Sequence, residues 1–172
     1  MLLDLTIDGR PRKVITQAAK NGFFYVLDRL TGEFISGDPF VKVSWALGLS
    51  KEGRPIVNPK ALYDQKDPIA ILPTAGGGHN WSPMSYNPAT GLVYIPASYQ
   101  SYPYQAQAEY RPGSTGYVRP QGATKTIEPS FGPEPPAGAR NRLQAWDPVN
   151  QKLRWNVAGG GGIGGGTFTT AG

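Results

Sequence analysis

The sequence predicts an all-β fold, a β-propeller fragment of about two to three blades made of antiparallel four-stranded sheets with long loops. The main observation is a strand–turn–strand unit that occurs three times, with an Asp or Asn opening the turn at positions 28, 87 and 147. The spacings of 59 and 60 residues fit one blade plus one long loop. The second observation is the content of 23 Gly and 17 Pro in 172 residues, which implies many turns.

The first part of the chain has the pattern of one complete blade. Residues 2–7 and 12–17 are apolar or alternating on either side of Asp8-Gly9, a tight-turn signal that predicts a hairpin. Residues 23–27 and 33–35 are rich in β-forming side chains and predict a third and a fourth strand. Four strands with short links predict an antiparallel meander.

The middle of the chain is less regular. Over residues 36–73, prolines and the lack of a period predict a loop laid over the surface with little regular structure. Strand patterns return at residues 84–86 and 92–96, and they do so again at residues 141–146 and 152–157. The first two segments predict strands on either side of a turn, and the last two predict another hairpin.

Residues 98–140 have the weakest pattern, with four tyrosines among Pro, Gly and Gln. Two interpretations stay open: an ordered insertion whose tyrosines pack on the body of the protein, and a lid over a ligand funnel. The tail at residues 128–136 is predicted to be extended, in a polyproline II conformation. The tyrosines are Tyr102, Tyr104, Tyr110 and Tyr117.

The end of the chain predicts an interrupted module. Trp155 is predicted to lie flat in the core between blades. Residues 159–166 are nearly all glycine, and residues 167–170 begin a strand that has no partner. We therefore expect residues 1–172 to form one partial propeller domain, truncated at both ends and marginally stable alone, because blades bury their flanks against one another.

The composition argues against several classes of function. The 17 Lys and Arg residues are scattered, so the net charge of +5 does not form the clustered basic face that nucleic acid requires. The absence of cysteine excludes disulfides, thiolate catalysis and Cys-ligated zinc. The N-terminal pattern lacks the basic start and apolar run of a signal peptide, and no stretch has the length and apolarity of a membrane span.

Residues 75–94 are predicted to form the functional centre, because a glycine run delivers His79, Asn80 and Trp81 to the head of a strand–turn–strand unit. His79 is the only histidine, which excludes metal sites with two imidazoles, and we interpret it as a structural hydrogen-bonding residue. Asn80 offers a donor and an acceptor to a ligand, or it forms a turn. Lys20, in a short link between strands, is either an exposed loop cation or stabilises negative charge on a bound oxygen.

Four segments, in this order, form a recognisable set. They are QAAKNGFFYVLDR at residues 17–29, GHNWSPMSYNP at 78–88, LQAWDP at 143–148 and GGTFTTAG at 165–172. Together they resemble the pyrroloquinoline-quinone (PQQ) dependent alcohol dehydrogenases, and within them the quinohemoprotein subgroup. The resemblance implies an eight-bladed propeller in a periplasmic enzyme, with PQQ in the central funnel beside a Ca²⁺ or lanthanide ion.

The resemblance also implies roles for individual residues. Lys20 matches the basic residue that binds the ortho-quinone oxygens of PQQ, and Asn80 and Trp81 match residues that contact the cofactor. It implies no catalytic residue and no metal ligand in this chain, because the family's aspartate and metal ligands fall upstream of residues 2–8. A haem c domain, or a separate cytochrome, is the implied electron acceptor, and the haem domain would lie beyond Gly172.

Two departures from the family pattern stand out. Ile163 and Gly164 occupy the place where the family often has a Trp, which puts part of the usual cofactor wall in question. Asn150-Gln151 replaces the Thr-Gly of the other two turns, a change expected to alter the turn without removing its strands.

Three hypotheses of function follow. The first is a fragment of a PQQ-dependent alcohol dehydrogenase that oxidises alcohols to carbonyl compounds, contributes part of the PQQ pocket and is inactive alone. The alternative is a non-enzymatic β-propeller scaffold for protein–protein interaction. Lys20, Asn80 and Trp81 discriminate between them, because a scaffold needs no cation and amide converging on one funnel. A carbohydrate-binding module that uses the tyrosines of residues 102–117 is a weaker third.

Overall fold

The computed structural model describes residues 1–120, 124–134, 140–159 and 165–170, and their regular structure is almost entirely β-strand. One short 3₁₀ turn, Pro59–Ala61, is the exception. No helix in these ranges has the length and apolarity needed to cross a membrane. The strands in chain order are β1 (Leu2–Ile7), β2 (Arg10–Ala18), β3 (Phe23–Asp28), β4 (Phe34–Pro39), β5 (Ala46–Leu49), β6 (Pro55–Val57), β7 (Ile69–Ile71), β8 (Ser85–Asn87), β9 (Leu92–Ser98), β10 (Tyr102–Ala106), β11 (Tyr117–Val118), β12 (Lys125–Thr126), β13 (Asn141–Asp147) and β14 (Lys152–Ala158).

Two four-stranded antiparallel sheets form the body of the protein. The first is the predicted meander, in which β1, β2, β3 and β4 pair in chain order. In the second, β8, β9, β13 and β14 pair in that order, and the long segment between β9 and β13 forms an insertion. Both sheets have the four antiparallel strands expected of a propeller blade. The units that turn at positions 87 and 147 lie in one sheet, so the prediction of one blade for each spacing is wrong for these two units.

The core lies between these two sheets. Val14 and Phe24 of the first sheet face Ile95 and Trp146 of the second, and all four side chains are at most 2% exposed. The rings of Phe24 and Trp146 pack with their centroids 6.0 Å apart. Because burying one such side chain contributes about 1.5–3 kcal/mol, this interface holds the sheets together.

The prediction of little regular structure over residues 36–73 is wrong. Strand β4 continues to Pro39, and β5 and β6 form a hairpin whose Leu49 packs against the first sheet. Gly53 allows this hairpin because its φ is +76° and a Cβ there would lie 2.4 Å from the Phe34 ring. The sequence indicates the turn at residues 51–54, but the prolines around it gave no indication of the strands on either side.

The described part of the insertion between β9 and β13 contains regular structure. Strand β10 pairs with β11 and with β7, and β7 also pairs with β12 in a small mixed sheet. Tyr102, Tyr104 and Tyr117 pack together around Tyr63, whereas Tyr110 is 69% exposed. The first interpretation, an ordered insertion, is therefore favoured for the described part of residues 98–140; residues 121–123 and 135–139 lie outside it.

Two expectations for the end of the chain are not met. Trp155 is 42% exposed, because the register shift after Ala145 places it on the outer face of β14, beside Tyr94. Residues 167–170 form no strand, and Thr167 and Thr169 instead bond to the second sheet through their hydroxyl groups. Ile163 and Gly164 fall outside the described residues.

Candidate functional site

A cleft of about 340 Å³ opens beside the glycine run, residues 76–78, at the head of the second sheet. One wall is the glycine run itself followed by His79, Asn80 and Trp81, and the other comes from β9, β13 and the segment after β9. No Asp, Glu, Lys or Arg side chain is among the described residues that line it. The lining residues are Thr74, Gly76, Gly77, Gly78, His79, Asn80, Trp81, Ser82, Pro96, Ser98, Gln100 and Asn141.

The glycine run is in direct contact with the loop that carries Lys20. Gly78 N–H donates to the Lys20 carbonyl oxygen at 3.0 Å. Gly77 has a φ of +89°, and a Cβ there would lie 2.7 Å from Lys20 Cα. A Cβ on Gly78 would lie 2.5 Å from Val41 Cγ2. The close approach of the glycine run to the Lys20 loop thus depends on glycine at position 77, and its packing on Val41 depends on glycine at position 78.

Lys20 is presented by a short link between β2 and β3. Gly22 N–H donates to the Ala19 carbonyl at 3.0 Å and closes this link, while Asn21 Oδ1 accepts Phe23 N–H at 3.1 Å. The Lys20 side chain is exposed, and its ammonium group has no ion pair or hydrogen bond with any residue that the structure describes. Its main chain supports the back of the cleft, whereas its side chain is not part of the lining.

His79 anchors the wall of the cleft. The ring is buried, and Nδ1 lies 2.9 Å from the Pro96 carbonyl oxygen, so Nδ1 carries the proton and donates it. Burial lowers the pKa of His79, and the hydrogen bond to Pro96 opposes this only in part. His79 is therefore neutral near pH 7, and its geometry agrees with the structural role inferred from the sequence.

Asn80 and Trp81 form the exposed part of the same wall. Asn80 Nδ2 donates to the Gly76 carbonyl oxygen at 3.2 Å, which folds the side chain back over the glycine run. Its Oδ1 has no partner among the described residues and remains available as an acceptor. Trp81 is 74% exposed and offers the largest apolar surface beside the cleft.

Sequence reasoning missed the opposite wall, formed by Ser98, Gln100 and Asn141. Ser98 N–H donates to the Gly78 carbonyl oxygen at 2.7 Å, and Gln100 Nε2 donates to Ser98 Oγ at 3.0 Å. These residues belong to no motif, and their meeting depends on the pairing of β9 with β13, in which Asn141 lies opposite Ser98. No local sequence signal could have identified them.

The described residues contain no group of three or more His, Cys, Asp or Glu side chains that could hold a metal ion. The acids Asp28 and Asp147 are committed to turns instead. Asp28 Oδ1 accepts the N–H groups of Leu30 and Thr31, and these bonds lower the pKa of Asp28.

Comparison with models of known protein families finds no match. Quinohemoprotein alcohol dehydrogenase of Comamonas testosteroni is 45% identical over 100% of this chain and 24% of its own length. Quinohemoprotein alcohol dehydrogenase ADH IIB of Pseudomonas putida is 44% identical over 99% of this chain and 24% of its length. 1-Butanol dehydrogenase (cytochrome c) of Thauera butanivorans is 42% identical over 100% of this chain and 25% of its own length.

Solved structures give the same result. The crystal structure of the Comamonas testosteroni enzyme matches with a TM-score of 0.77 at 43% identity, over 99% of this chain and 26% of that one. A europium-containing methanol dehydrogenase matches with a TM-score of 0.71 at 30% identity, over 91% of this chain and 27% of that one. The chain spans about a quarter of the length of the relatives it matches.

These matches confirm the predicted fold, since 99% of the chain superposes on about a quarter of the length of dehydrogenases of this kind. They also confirm the resemblance that the four sequence segments indicated, and they extend it over the whole chain. In sequence and in fold, the chain matches a part of the quinohemoprotein alcohol dehydrogenases, about a quarter of their length.

Proposed function

We propose that this chain is part of a PQQ-dependent alcohol dehydrogenase, which oxidises alcohols to carbonyl compounds, and that it forms one side of the PQQ pocket. The observation that carries the proposal is the contact between the two loops that bear Lys20 and Asn80, joined by the 3.0 Å bond from Gly78 N–H to the Lys20 carbonyl. The names of the relatives support the reaction class.

The residues beside the cleft fit a planar quinone. The exposed indole of Trp81 can stack on a flat ring system. Glycine at positions 77 and 78 lets the main chain that lines the cleft pack directly on Lys20 and Val41. PQQ, when bound, supplies the quinone carbon that accepts the hydride of the alcohol.

Lys20 is the residue to which we assign electrostatic stabilisation. Its ammonium group has no partner among the described residues, and it sits at the same end of the sheets as Asn80. A lysine holds three N–H donors on a flexible stem, which suits it to a quinone oxygen that gains negative charge. In this role Lys20 binds the oxygen and holds a positive charge beside it.

Asn80 and Trp81 are the residues to which we assign orientation. Asn80 is tethered through Nδ2 to Gly76, so its free Oδ1 points from a fixed position. To Trp81, which lines the cleft, we assign the covering of one face of the ligand. His79 acts behind them, because its bond to Pro96 fixes the main chain from which both side chains project.

The remaining partners are assigned on the same basis. We propose that a Ca²⁺ or lanthanide ion is held by residues outside this chain, and the name of the europium-containing methanol dehydrogenase supports a lanthanide as one candidate. We propose a haem or a cytochrome as electron acceptor, in line with relatives named quinohemoprotein and cytochrome c dehydrogenases. The periplasm is the compartment we propose for the enzyme.

The test is the turnover of the complete protein that carries this sequence, after it has been loaded with PQQ. Replacing Lys20 by Ala removes charge stabilisation and little packing, so we expect kcat to fall by more than about tenfold. The matched control is Lys51→Ala, which removes an exposed lysine at the β5–β6 hairpin, away from the cleft. If both variants turn over at the same rate, Lys20 has no part in the reaction, and if no PQQ is taken up, the scaffold hypothesis is favoured.

A further inference from the structure

The glycine run is held in place from three directions. On the first side Gly78 N–H bonds to the Lys20 carbonyl at 3.0 Å, and on the second Ser98 N–H bonds to the Gly78 carbonyl at 2.7 Å. The third contact comes from the insertion, where the Tyr104 hydroxyl oxygen accepts Ala75 N–H at 2.8 Å. Only this third contact uses a side chain, so the identity of residue 104 controls it.

The Tyr104 hydroxyl group is itself held rigidly. Its ring is 7% exposed and stacks on Tyr63 with the centroids 5.3 Å apart and the planes 22° from parallel. Tyr102 and Tyr117 pack edge-on against it at 5.0 Å and 4.9 Å. Burial raises the pKa of Tyr104, which keeps the hydroxyl group protonated. We name these four residues the tyrosine cluster.

The bond to Ala75 affects the position of Asn80, a residue that we assign to cofactor binding. Ala75 precedes Gly76, and the Gly76 carbonyl oxygen accepts the side-chain bond of Asn80 at 3.2 Å. Thr74 adds a parallel link, because its N–H donates to the Gln100 carbonyl at 3.0 Å. Fixing Ala75 therefore fixes the carbonyl group that orients the Asn80 amide.

We propose that Tyr104 is a positioning residue, through which the tyrosine cluster sets the conformation of residues 74–78 and, with it, the affinity of the cleft for its cofactor. For this last effect the inference rests on the proposed function. The insertion then acts as a rigid support for the PQQ pocket. It does not act as a lid, the second interpretation that its sequence allowed.

The alternative is that Tyr104 only fills the core of the insertion. The chain offers a matched control that separates the two roles, because the hydroxyl groups of Tyr63, Tyr102 and Tyr117 form no hydrogen bond within the described part of the chain. Tyr104→Phe and Tyr117→Phe each remove one oxygen atom and keep the ring. Only the first removes a bond to Ala75, the residue that precedes the glycine run.

The experiment compares these two variants with the wild type in the complete protein, first without cofactor and then in equilibrium titrations with PQQ. We expect the Ala75 amide to exchange hydrogen slowly in the wild type and in Tyr117→Phe, and faster in Tyr104→Phe. Because one hydrogen bond is lost, we expect the Kd for PQQ to rise about three- to tenfold in Tyr104→Phe alone. Unfolding temperatures confirm that each variant is folded.

Two results would overturn the inference. One is equal behaviour of Tyr104→Phe and Tyr117→Phe in exchange and in Kd, which would mean that only the rings matter. The other is an unprotected Ala75 amide in the wild type, a result that does not depend on whether any variant folds. If the wild type does not bind PQQ, the proposed function fails, and the exchange contrast between the two variants still decides the role of Tyr104.

Discussion

The core between the two sheets and the cleft at their head differ in composition and in exposure to solvent. The core is apolar and closed, with Phe24 and Trp146 at most 2% exposed. The cleft consists of glycine main chain, uncharged polar groups and the 74% exposed Trp81, held by single hydrogen bonds. The difference separates stability from binding: changes in the core should alter folding with little effect on affinity, and changes in the cleft should do the reverse.

The largest expected effect comes from the core. Phe24→Ala leaves a cavity beside Trp146, and we expect it to lower the free energy of unfolding by about 3–5 kcal/mol. Denaturant titration measures this loss, and the Kd for PQQ of the remaining folded protein should stay within about twofold of the wild type. A loss below about 1 kcal/mol would show that the two sheets do not form one core.

Gly77→Ala tests the contact between the two loops. The alanine would have to adopt a φ of +89°, and its Cβ would lie 2.7 Å from Lys20 Cα. The main chain must therefore move. We expect the Kd for PQQ to rise at least about fivefold, since a cost of about 1–3 kcal/mol falls on the cleft. The control is Gly91→Ala, which has a φ of +69° with no atom within 4 Å of the added Cβ.

Gly91→Ala should cost stability through its backbone conformation, by about 1 kcal/mol, and leave the Kd unchanged. Equal effects of the two glycine variants on PQQ binding would contradict the account, because they would show that the approach of Lys20 to Gly77 has no bearing on the cleft.

His79→Asn has the smallest expected effect and depends on pH. The asparagine amide can replace the Nδ1–H bond to Pro96, but it does not titrate. Burial lowers the pKa of His79 in the folded protein below the ordinary value of about 6.5. At pH values above about 6.5 the ring is neutral, and this neutral form stabilises the fold. That stability is lost as the pH falls through the folded pKa.

Unfolding curves between about pH 7 and 4.5 should therefore show acid destabilisation in the wild type that is weaker in His79→Asn. Asp28 and Asp147 do not interfere in this window, because hydrogen bonds from the main chain lower the pKa of both carboxyl groups, against the opposing effect of burial. The stability they contribute is lost only at lower pH. Parallel curves for the two proteins would contradict a buried, neutral His79.

How far the sequence predicts the fold is clearest at the repeated turns. Asp28 and Asp147 each accept two main-chain N–H groups. The bonds are local, so an Asp at the start of a turn predicts them from sequence alone. The substitution of Gln151 for glycine was expected to alter the third turn. Its φ of +53° nevertheless lies in the same region as the +77° of Gly32.

The reason lies in the neighbouring sheet. Gln151 Nε2 donates to Ser36 Oγ at 3.0 Å and its Oε1 accepts Asp38 N–H at 3.2 Å, so the side chain joins the second sheet to β4 of the first. These bonds offset the backbone strain of a non-glycine residue, which is about 1 kcal/mol. Contacts across 113 and 115 residues of sequence leave no local pattern.

The cleft was predictable only in part, for the same reason. One wall of the cleft is contiguous in sequence, so the glycine run identifies it. It consists of glycines 76–78 followed by His79, Asn80 and Trp81. Ser98, Gln100 and Asn141 reach the cleft through strand pairing, and Tyr104 reaches it through a hydroxyl bond to Ala75. Each of these depends on tertiary structure that periodicity does not encode.

The central claim is that the loops bearing Lys20 and Asn80 hold one quinone together. An equilibrium titration of the complete protein with PQQ tests it most directly, with Lys20→Ala, Asn80→Ala and the control Lys51→Ala. The account predicts that each of the first two raises the Kd at least about tenfold and that the control matches the wild type. A Kd that is the same in all four proteins would contradict it.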